Sequence, residues 1–289
     1  MEKTTQLRHL LFKEPECLIV PGVSNALFAR VVEEMGFKVI YASGAGITNL
    51  LLGLPDLGLT SMTEVLDSVR RIVDATDLPV IADIDTGYGN PLNVSRTVRE
   101  FSRAGAAGLQ IEDQVSPKRC GHFSGKSVIA KEEMVYKIKA ALDTRLDPDL
   151  VIIARTDARA TEGFMESIER ANVYVEAGAD MTFVEAPRTI EELAQIPKLI
   201  PCPQVANMVE DGLTPLVPVT ELERMGFSIA LYANLTLRAA LRAIQAVLKR
   251  LMAEGSSQAF LDQMISMDER NRLTKLHEIQ QFEKKYGIR

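Results

Sequence analysis

Short apolar runs alternate with longer amphipathic stretches along almost the whole chain. The runs fall near 17–21, 38–42, 79–83, 107–111, 151–155, 181–184, 203–206 and 227–231, and their length and continuity fit strands buried on both faces of a parallel sheet. Four helix-like stretches end on glycine just before the next run: Glu34-Met35-Gly36-Phe37, Arg103-Ala104-Gly105-Ala106, Glu176-Ala177-Gly178-Ala179 and Arg224-Met225-Gly226-Phe227. Glycine takes the left-handed conformation that ends a helix, so each marks a passage from helix to strand. Eight strands alternating with helices predict an α/β fold, a (β/α)8 TIM-type barrel.

The polar residues support a barrel over an open sheet. Carboxylates, Arg155, Glu185 and Asn207 follow the runs at nearly every carboxyl end, whereas an open sheet concentrates its site at one switch point. The expected organisation is one barrel domain over 1–289, with 255–289 a C-terminal helical extension. Phe260, Leu261, Met264, Ile265, Leu273, Leu276, Ile279 and Phe282 recur there near helical spacing, and this face is expected to pack on a neighbouring subunit.

Composition narrows the function. A net charge of -6 removes the electrostatic case for a nucleic-acid binder. No apolar stretch approaches the roughly 18–20 residues of a membrane span, and the N-terminus lacks the apolar core of a secretion signal. A soluble, cytoplasmic protein is expected. Cys17, Cys120 and Cys202 are an odd count, so disulfides are not expected and a lone reactive thiol is allowed.

The chemistry concentrates in two neighbouring segments. Asp83 and Asp85 stand at i and i+2 after the third run, so on a strand they share a face and reach one hard cation. Mg2+, with Mn2+ as substitute, fits such an open site, and Glu112 adds a third acid at the next strand end. The bland alternative has Asp85 turning the chain at Thr86-Gly87 and Asp83 capping a neighbour. The next run continues into Ser116-Pro117-Lys118-Arg119-Cys120-Gly121-His122. Lys118, Arg119 and His122 favour the Cys120 thiolate, and Gly121 lets backbone approach a ligand. Ser124, Gly125 and Ser127 predict a mobile lid, against the alternative of a surface loop with a spectator cysteine.

Two further elements complete the set. Tyr41-Ala42-Ser43-Gly44-Ala45-Gly46 lacks the third glycine of a dinucleotide fingerprint, and its amides from Ser43 to Gly46 suit a small carboxylate instead. Arg155 suits a bidentate grip on carboxylate, or an ion pair with Asp157 or Glu185.

Together these motifs resemble the isocitrate lyase and phosphoenolpyruvate mutase superfamily, most closely its short-chain 2-methylisocitrate lyases, 2,3-dimethylmalate lyases and carboxyphosphonoenolpyruvate mutases. The resemblance runs from Leu18 to Lys285 and rests on Leu52-Gly53-Leu54-Pro55-Asp56, Asp83-Ile84-Asp85, Gly87-Tyr88-Gly89-Asn90, Ile111-Glu112-Asp113-Gln114, Lys118-Arg119-Cys120-Gly121-His122, Ala154-Arg155-Thr156-Asp157-Ala158 and Ala206-Asn207-Met208-Val209-Glu210. It implies a barrel whose C-terminal helices are swapped between subunits, in a homotetramer built as a dimer of dimers. It implies Mg2+ at Asp83 and Asp85, with Asp56 and Glu112 in the water shell around it. It places Ser43, Gly44, Ala45, Gly121, Arg155, Glu185, Asn207 and Arg238 on a small di- or tricarboxylate substrate. Cys120 matches the acid that protonates the departing carbanion, supported by Lys118 and His122, and Tyr41 lines the same pocket.

The implied reaction is Mg2+-dependent carbon-carbon cleavage of a 2-alkylmalate, such as 2,3-dimethylmalate or a methylisocitrate-like acid, to a 2-oxo acid such as pyruvate plus a carboxylate. Ala45 and Ala233 depart from the Gly and Pro usual in methylisocitrate lyases and turn the preference toward 2-methylmalates. The alternatives are carboxyphosphonoenolpyruvate phosphonomutase, whose family shares the Cys-Gly-His loop, and oxaloacetate decarboxylase or hydrolase. A non-catalytic dicarboxylate-binding barrel and a cysteine hydrolase using Cys120 and His122 both fit the metal cradle poorly.

Overall fold

The computed structural model describes residues 1–14, 16–121 and 123–288. It divides into two compact units, Met1–Leu235 and Thr236–Arg289. In the first, all eight expected strands form: β1 (Leu18–Val23), β2 (Ile40–Ala42), β3 (Val80–Asp83), β4 (Gly108–Glu112), β5 (Val151–Thr156), β6 (Met181–Val184), β7 (Val205–Asn207) and β8 (Ile229–Tyr232). They pair in parallel in the order β6-β5-β4-β3-β2-β1-β8-β7. A parallel bridge between Thr182 and Gln204 joins the two ends, with the Thr182 amide donating to the Pro203 carbonyl at 3.2 Å and its hydroxyl to Gln204 Oε1 at 2.8 Å. The fold is therefore a (β/α)8 TIM barrel.

Helices α1 (Lys3–Phe12), α2 (Ala26–Glu34), α3 (Gly44–Leu52), α4 (Met62–Ala75) and α5 (Pro91–Arg103) accompany the first half. The second half carries α6 (Lys131–Thr144), α7 (Ala158–Thr161), α8 (Phe164–Glu176), α9 (Ile190–Leu199) and α10 (Val219–Met225). Local chemistry sets their ends. Ser61 and Glu64 form a capping box at the start of α4, as do Asn90 and Asn93 at α5, where Pro91 takes the first helical position. The four junction glycines, Gly36, Gly105, Gly178 and Gly226, all have positive φ, at 83°, 85°, 104° and 102°.

Two apolar layers flank the strands. Outside, α4 buries Val65, Val69 and Ile72 and α5 buries Val94, Val98 and Phe101 against the sheet; each such side chain contributes about 1.5–3 kcal/mol when fully buried. Inside, Val20, Tyr41, Ile81, Ile153, Phe183, Val205, Ile229 and Leu231 form one cluster with Leu7, Leu10 and Leu11 of α1. Helix α1 is tied to the loops that precede β3, β5 and β6: Lys3 Nζ donates to the Thr76 carbonyl at 2.6 Å, Thr4 to Asp147 at 2.5 Å and Arg8 to Asp180 at 2.8 Å. It plugs the amino end of the barrel and leaves the carboxyl end for chemistry.

The second unit comprises α11 (Leu235–Glu254) beyond its first residue, a 3₁₀ turn at Gln258–Gln263, α12 (Met267–Leu273) and α13 (Leu276–Tyr286). Within it the Arg250 guanidinium lies 4.6 Å from the Phe260 ring centroid. Leu241, Ile244, Leu248 and Leu251 recur at helical spacing on α11 and are exposed, as are Ile279 and Phe282 on α13.

Candidate active site

Strand periodicity builds the site. Successive side chains alternate faces, so the residues two positions beyond Ile81, Ile153, Phe183 and Val205 of the inner cluster also point inward. Those are Asp83, Arg155, Glu185 and Asn207, and all four are buried. They line a cavity at the carboxyl end together with Tyr41, Ser43, Ala45, Asp56, Lys118, Gly121, Phe183, Val209, Leu231, Ala233 and Asn234.

Asp85 arrives differently from the expectation that it shares a strand face with Asp83. β3 ends at Asp83, and Asp85 sits at φ 49° in a left-handed turn, a strained conformation for a residue with a side chain. The turn is pinned by Ile84 donating to the Gln110 carbonyl at 3.0 Å and by Glu112 donating to the Asp85 carbonyl at 2.9 Å. Both carboxylates still converge: a β-carbon built on Gly44 would lie 2.9 Å from Asp83 Oδ2 and 3.3 Å from Asp85 Oδ1.

Lys118 inserts its ammonium among these acids, 2.6 Å from Asp56 Oδ1 and 2.9 Å from Asp85 Oδ1. Its charge is thus committed to Asp56 and Asp85. Burial pushes the Asp85 carboxyl up to about 6 despite the pull of Lys118. Burial also pushes Glu112 well above the carboxylate range, against Arg155 and Lys118. Glu112 Oε1 is buried without a hydrogen bond, and Asp85 Oδ1, for all its proximity to Lys118, makes none of good geometry. Hard, under-neutralised oxygens around an inserted cation fit a divalent ion. Among the described residues no three acidic, His or Cys side chains close into a full ligand set. The arrangement is an open one, in which Asp83 and Asp85 could hold a divalent ion and Asp56 and Glu112 could meet its bound water.

Arg155 stands on β5, one strand beyond β4, and forms the adjoining wall. Its Nε and Nη2 donate to Asp157 at 2.9 and 3.1 Å, Nη1 lies 3.0 Å from Glu185 Oε2, and Nε lies 3.4 Å from Glu112 Oε2. The ion pairs with Asp157 and Glu185, the alternative to a grip on substrate carboxylate, both form, and the guanidinium also sits 5.1 Å from the Phe183 ring centroid. Burial opposes its charge, but Asp157, Glu185 and Glu112 hold it well above its ordinary range. Burial likewise opposes ionisation of Asp157, and Arg155 and Lys126 overcome it, drawing that carboxyl down to about 2. Asn207 Nδ2 reaches Glu185 Oε2 at 3.3 Å.

The Cys120 loop lies against this wall. A β-carbon on Gly121 would stand 2.4 Å from Arg155 Nη2 and 2.7 Å from the Glu185 carboxyl carbon, so only glycine fits. The Cys120 amide donates to the Asp56 carbonyl at 3.1 Å, and Gln114 brackets Arg119, accepting from its amide at 3.0 Å and donating to its carbonyl at 2.8 Å. Cys120 is partly exposed, and its neighbours Lys118 and Gly121 rather than Cys120 itself line the cavity. His122 lies outside the described residues.

On the remaining side, Ser43 caps α3 by accepting from the Gly46 amide at 3.2 Å. The Ser43 amide donates to the Val23 carbonyl at 3.1 Å and the Gly44 amide to Asp83 Oδ2 at 3.3 Å. Three of the four amides expected to grip a carboxylate are therefore already engaged. Tyr41 donates to Gln110 Oε1 at 2.5 Å, and burial, reinforced by Asp83, keeps it a neutral phenol. Arg238 stands on α11 in the second unit.

Sequence reasoning missed Gln110, Lys126, Phe183, Val209 and Asn234 as parts of this environment, and had Asp157 only as an ion-pair partner. Asn234, whose Oδ1 accepts from the Ser43 hydroxyl at 3.2 Å, follows β8 at the carboxyl end, the same positional signal that marked Asn207.

Known proteins share this sequence and fold over nearly the whole chain. A 2,3-dimethylmalate lyase of Eubacterium barkeri is 44% identical over 287 residues, spanning 99% of each chain. A 2-methylisocitrate lyase of Shewanella oneidensis is 47% identical over 247 residues, 86% of this chain and 85% of that one. The structure of oxaloacetate acetylhydrolase with the inhibitor 3,3-difluorooxalacetate superposes with a TM-score of 0.95 at 38% identity, covering 100% of this chain and 98% of that one. Phosphonopyruvate hydrolase with oxalate and Mg2+ superposes at 0.90 and 30% identity over 99% of each chain. Residues 7–252 match the phosphoenolpyruvate phosphomutase family, and the chain is an enzyme belonging to that family, within the isocitrate lyase and phosphoenolpyruvate mutase superfamily.

Proposed function

We propose that the protein is a Mg2+-dependent carbon-carbon lyase that cleaves a 2-alkylmalate, with 2,3-dimethylmalate the first choice, to pyruvate and a carboxylate. The carrying observation is the composition of the cavity. Asp56, Asp83, Glu185 and Arg155 line it together with the apolar side chains of Phe183, Val209, Leu231 and Ala233. A dicarboxylate bearing alkyl substituents matches both features, and the 44% identity to a 2,3-dimethylmalate lyase runs in the same direction.

In 2,3-dimethylmalate the hydroxyl proton leaves, the C2–C3 bond breaks, C2 becomes the carbonyl of pyruvate, and C3 carries the electron pair until a proton converts it to propionate. Asp83 and Asp85 would hold a divalent cation, which would supply charge stabilisation to the 2-oxo acid half. Arg155, oriented by Asp157, binds carboxylate of the same half. Asn207, whose amide is oriented by Glu185, faces the second half, where an enediolate develops and a preorganised donor lowers its energy. Cys120, carried over the wall by Gly121, delivers the proton to C3. Tyr41, held neutral, lines the pocket with its hydroxyl bonded to Gln110.

The exposed apolar faces of α11 and α13 fit burial in a homotetramer, a dimer of dimers exchanging C-terminal helices. Size-exclusion chromatography with light scattering tests it.

A second reading, hydrolysis of oxaloacetate to oxalate and acetate, is favoured by the superposition on oxaloacetate acetylhydrolase. The test is a coupled assay of 2-methylmalate, 2,3-dimethylmalate, 2-methylisocitrate, isocitrate and oxaloacetate with Mg2+ or EDTA. Pyruvate from 2,3-dimethylmalate supports the first reading, and oxalate from oxaloacetate the second.

A further inference from the structure

Lys126 stands outside every motif considered so far, yet its side chain is 2% exposed and its partner Asp157 is 0% exposed, although Phe123, Ser124 and Gly125 before it are exposed. A lysine is buried this far only when its ammonium is paired. Its Nζ donates to the Gly121 carbonyl and, at 2.8 Å, to Asp157 Oδ1.

We propose that Lys126 is a positioning residue, a latch that seats the Cys120–Gly121 segment by bridging the Gly121 carbonyl to the carboxylate that orients Arg155. The same Asp157 carboxylate takes the Arg155 fork at 2.9 and 3.1 Å, and its own backbone amide is fixed by Asp113 Oδ1 at 2.9 Å. One anchored acid thus sets both the guanidinium and the loop. At the other end of the loop Lys118 is bound by Asp56 and Asp85, so two buried lysines clamp the segment from opposite sides of Cys120. A proton donor must be held within a fraction of an ångström of its acceptor to be efficient, and Lys126 supplies the constraint on the Arg155 side. The inference rests on the reading of Cys120 as the donor.

The test is hydrogen–deuterium exchange of the 116–127 segment in the full-length protein with Mg2+, comparing wild type with Lys126→Met, together with turnover of whichever acid the wild type accepts. The latch predicts exchange at Gly121 to Gly125 at least about tenfold faster, with the barrel strands unchanged. It also predicts kcat lowered by about tenfold or more with KM within about threefold. Lys126→Gln, which keeps a donor for the Gly121 carbonyl and loses the ion pair, serves if the methionine variant does not fold, with acceleration of at least about threefold expected. Unchanged loop exchange, or faster exchange spread evenly over the barrel, overturns the proposal. Exchange needs no substrate, so silence across the acid panel would sink the substrate assignment and leave the latch to be judged on exchange alone.

Discussion

Gly121 and Arg155 touch so closely that a β-carbon on the glycine would stand 2.4 Å from Nη2. The loop that presents Cys120 and the strand that presents Arg155 meet with no room for a methyl group. Gly121→Ala forces one of them to move. Overpacking of this kind costs about 1–3 kcal/mol in a packed core and less where an exposed loop gives way before the barrel. The expected outcome is a melting temperature within about 3 °C of wild type and kcat lower by about a hundredfold. Wild-type kcat in this variant would show that the loop does not close on Arg155 during turnover.

Arg155→Lys removes the fork that Asp157 holds. A lysine keeps the charge but cannot reproduce paired, planar donation. The predicted loss is roughly 2–4 kcal/mol of transition-state stabilisation, read as a thirty- to thousandfold fall in kcat/KM.

Asp85 gives a prediction with a definite sign. Burial raises its folded pKa from an ordinary 3.8 to about 6, against the pull of Lys118. Between those values the folded chain holds more protons than the unfolded one, so this group's stabilising contribution is present below pH 4 and lost as pH rises through about 6. At pH 7 without metal its charge is a burden, and Asp85→Asn is expected to stabilise the EDTA-treated protein by about 1–3 kcal/mol. The same variant should lose the rise in melting temperature that Mg2+ gives the wild type. Differential scanning fluorimetry with EDTA and with Mg2+ decides it; a lower melting temperature in EDTA contradicts the electrostatic account.

Cys120→Ser separates catalysis from binding. A hydroxyl is a far weaker acid than a thiol, so turnover should fall by about two to four orders of magnitude, while calorimetric titration with oxalate and Mg2+ gives wild-type affinity. A variant that keeps its turnover removes Cys120 from the mechanism.

Leu7→Ala tests the fold apart from the site. Leu7 is fully buried in the cluster that plugs the amino end of the barrel, and its truncation should cost about 2–5 kcal/mol. With the chemistry at the other end, kcat/KM at 25 °C should stay within about twofold of wild type.

Much of this was legible in the chain because its signals are local. Strand runs are continuous apolar stretches, and the four junction glycines announce helix ends through a conformation that other residues avoid. The inward acids and Arg155 follow from alternation along each strand. Asp85 lies beside Asp83 by a geometry other than the shared strand face, since its left-handed turn is set by hydrogen bonds to β4 that no spacing reveals. Asp157 and Lys126 are 31 residues apart, and their pairing exists only because the loop folds back over β5. Lys118 reads in sequence as a neighbour of the thiol, but in the fold it is drawn to Asp56, 62 residues away. The plug formed by α1 left no signal beyond a few leucines, because its partners come from strands scattered over the whole barrel.

The most direct measurement is pyruvate release from 2,3-dimethylmalate by the purified protein, coupled to lactate dehydrogenase, with Mg2+ and then with EDTA. The account predicts steady release of pyruvate and propionate in equal amounts, abolished by EDTA and restored by Mg2+. No pyruvate from any malate, with oxaloacetate converted to oxalate and acetate, would contradict the lyase assignment and make the protein a hydrolase on the same scaffold.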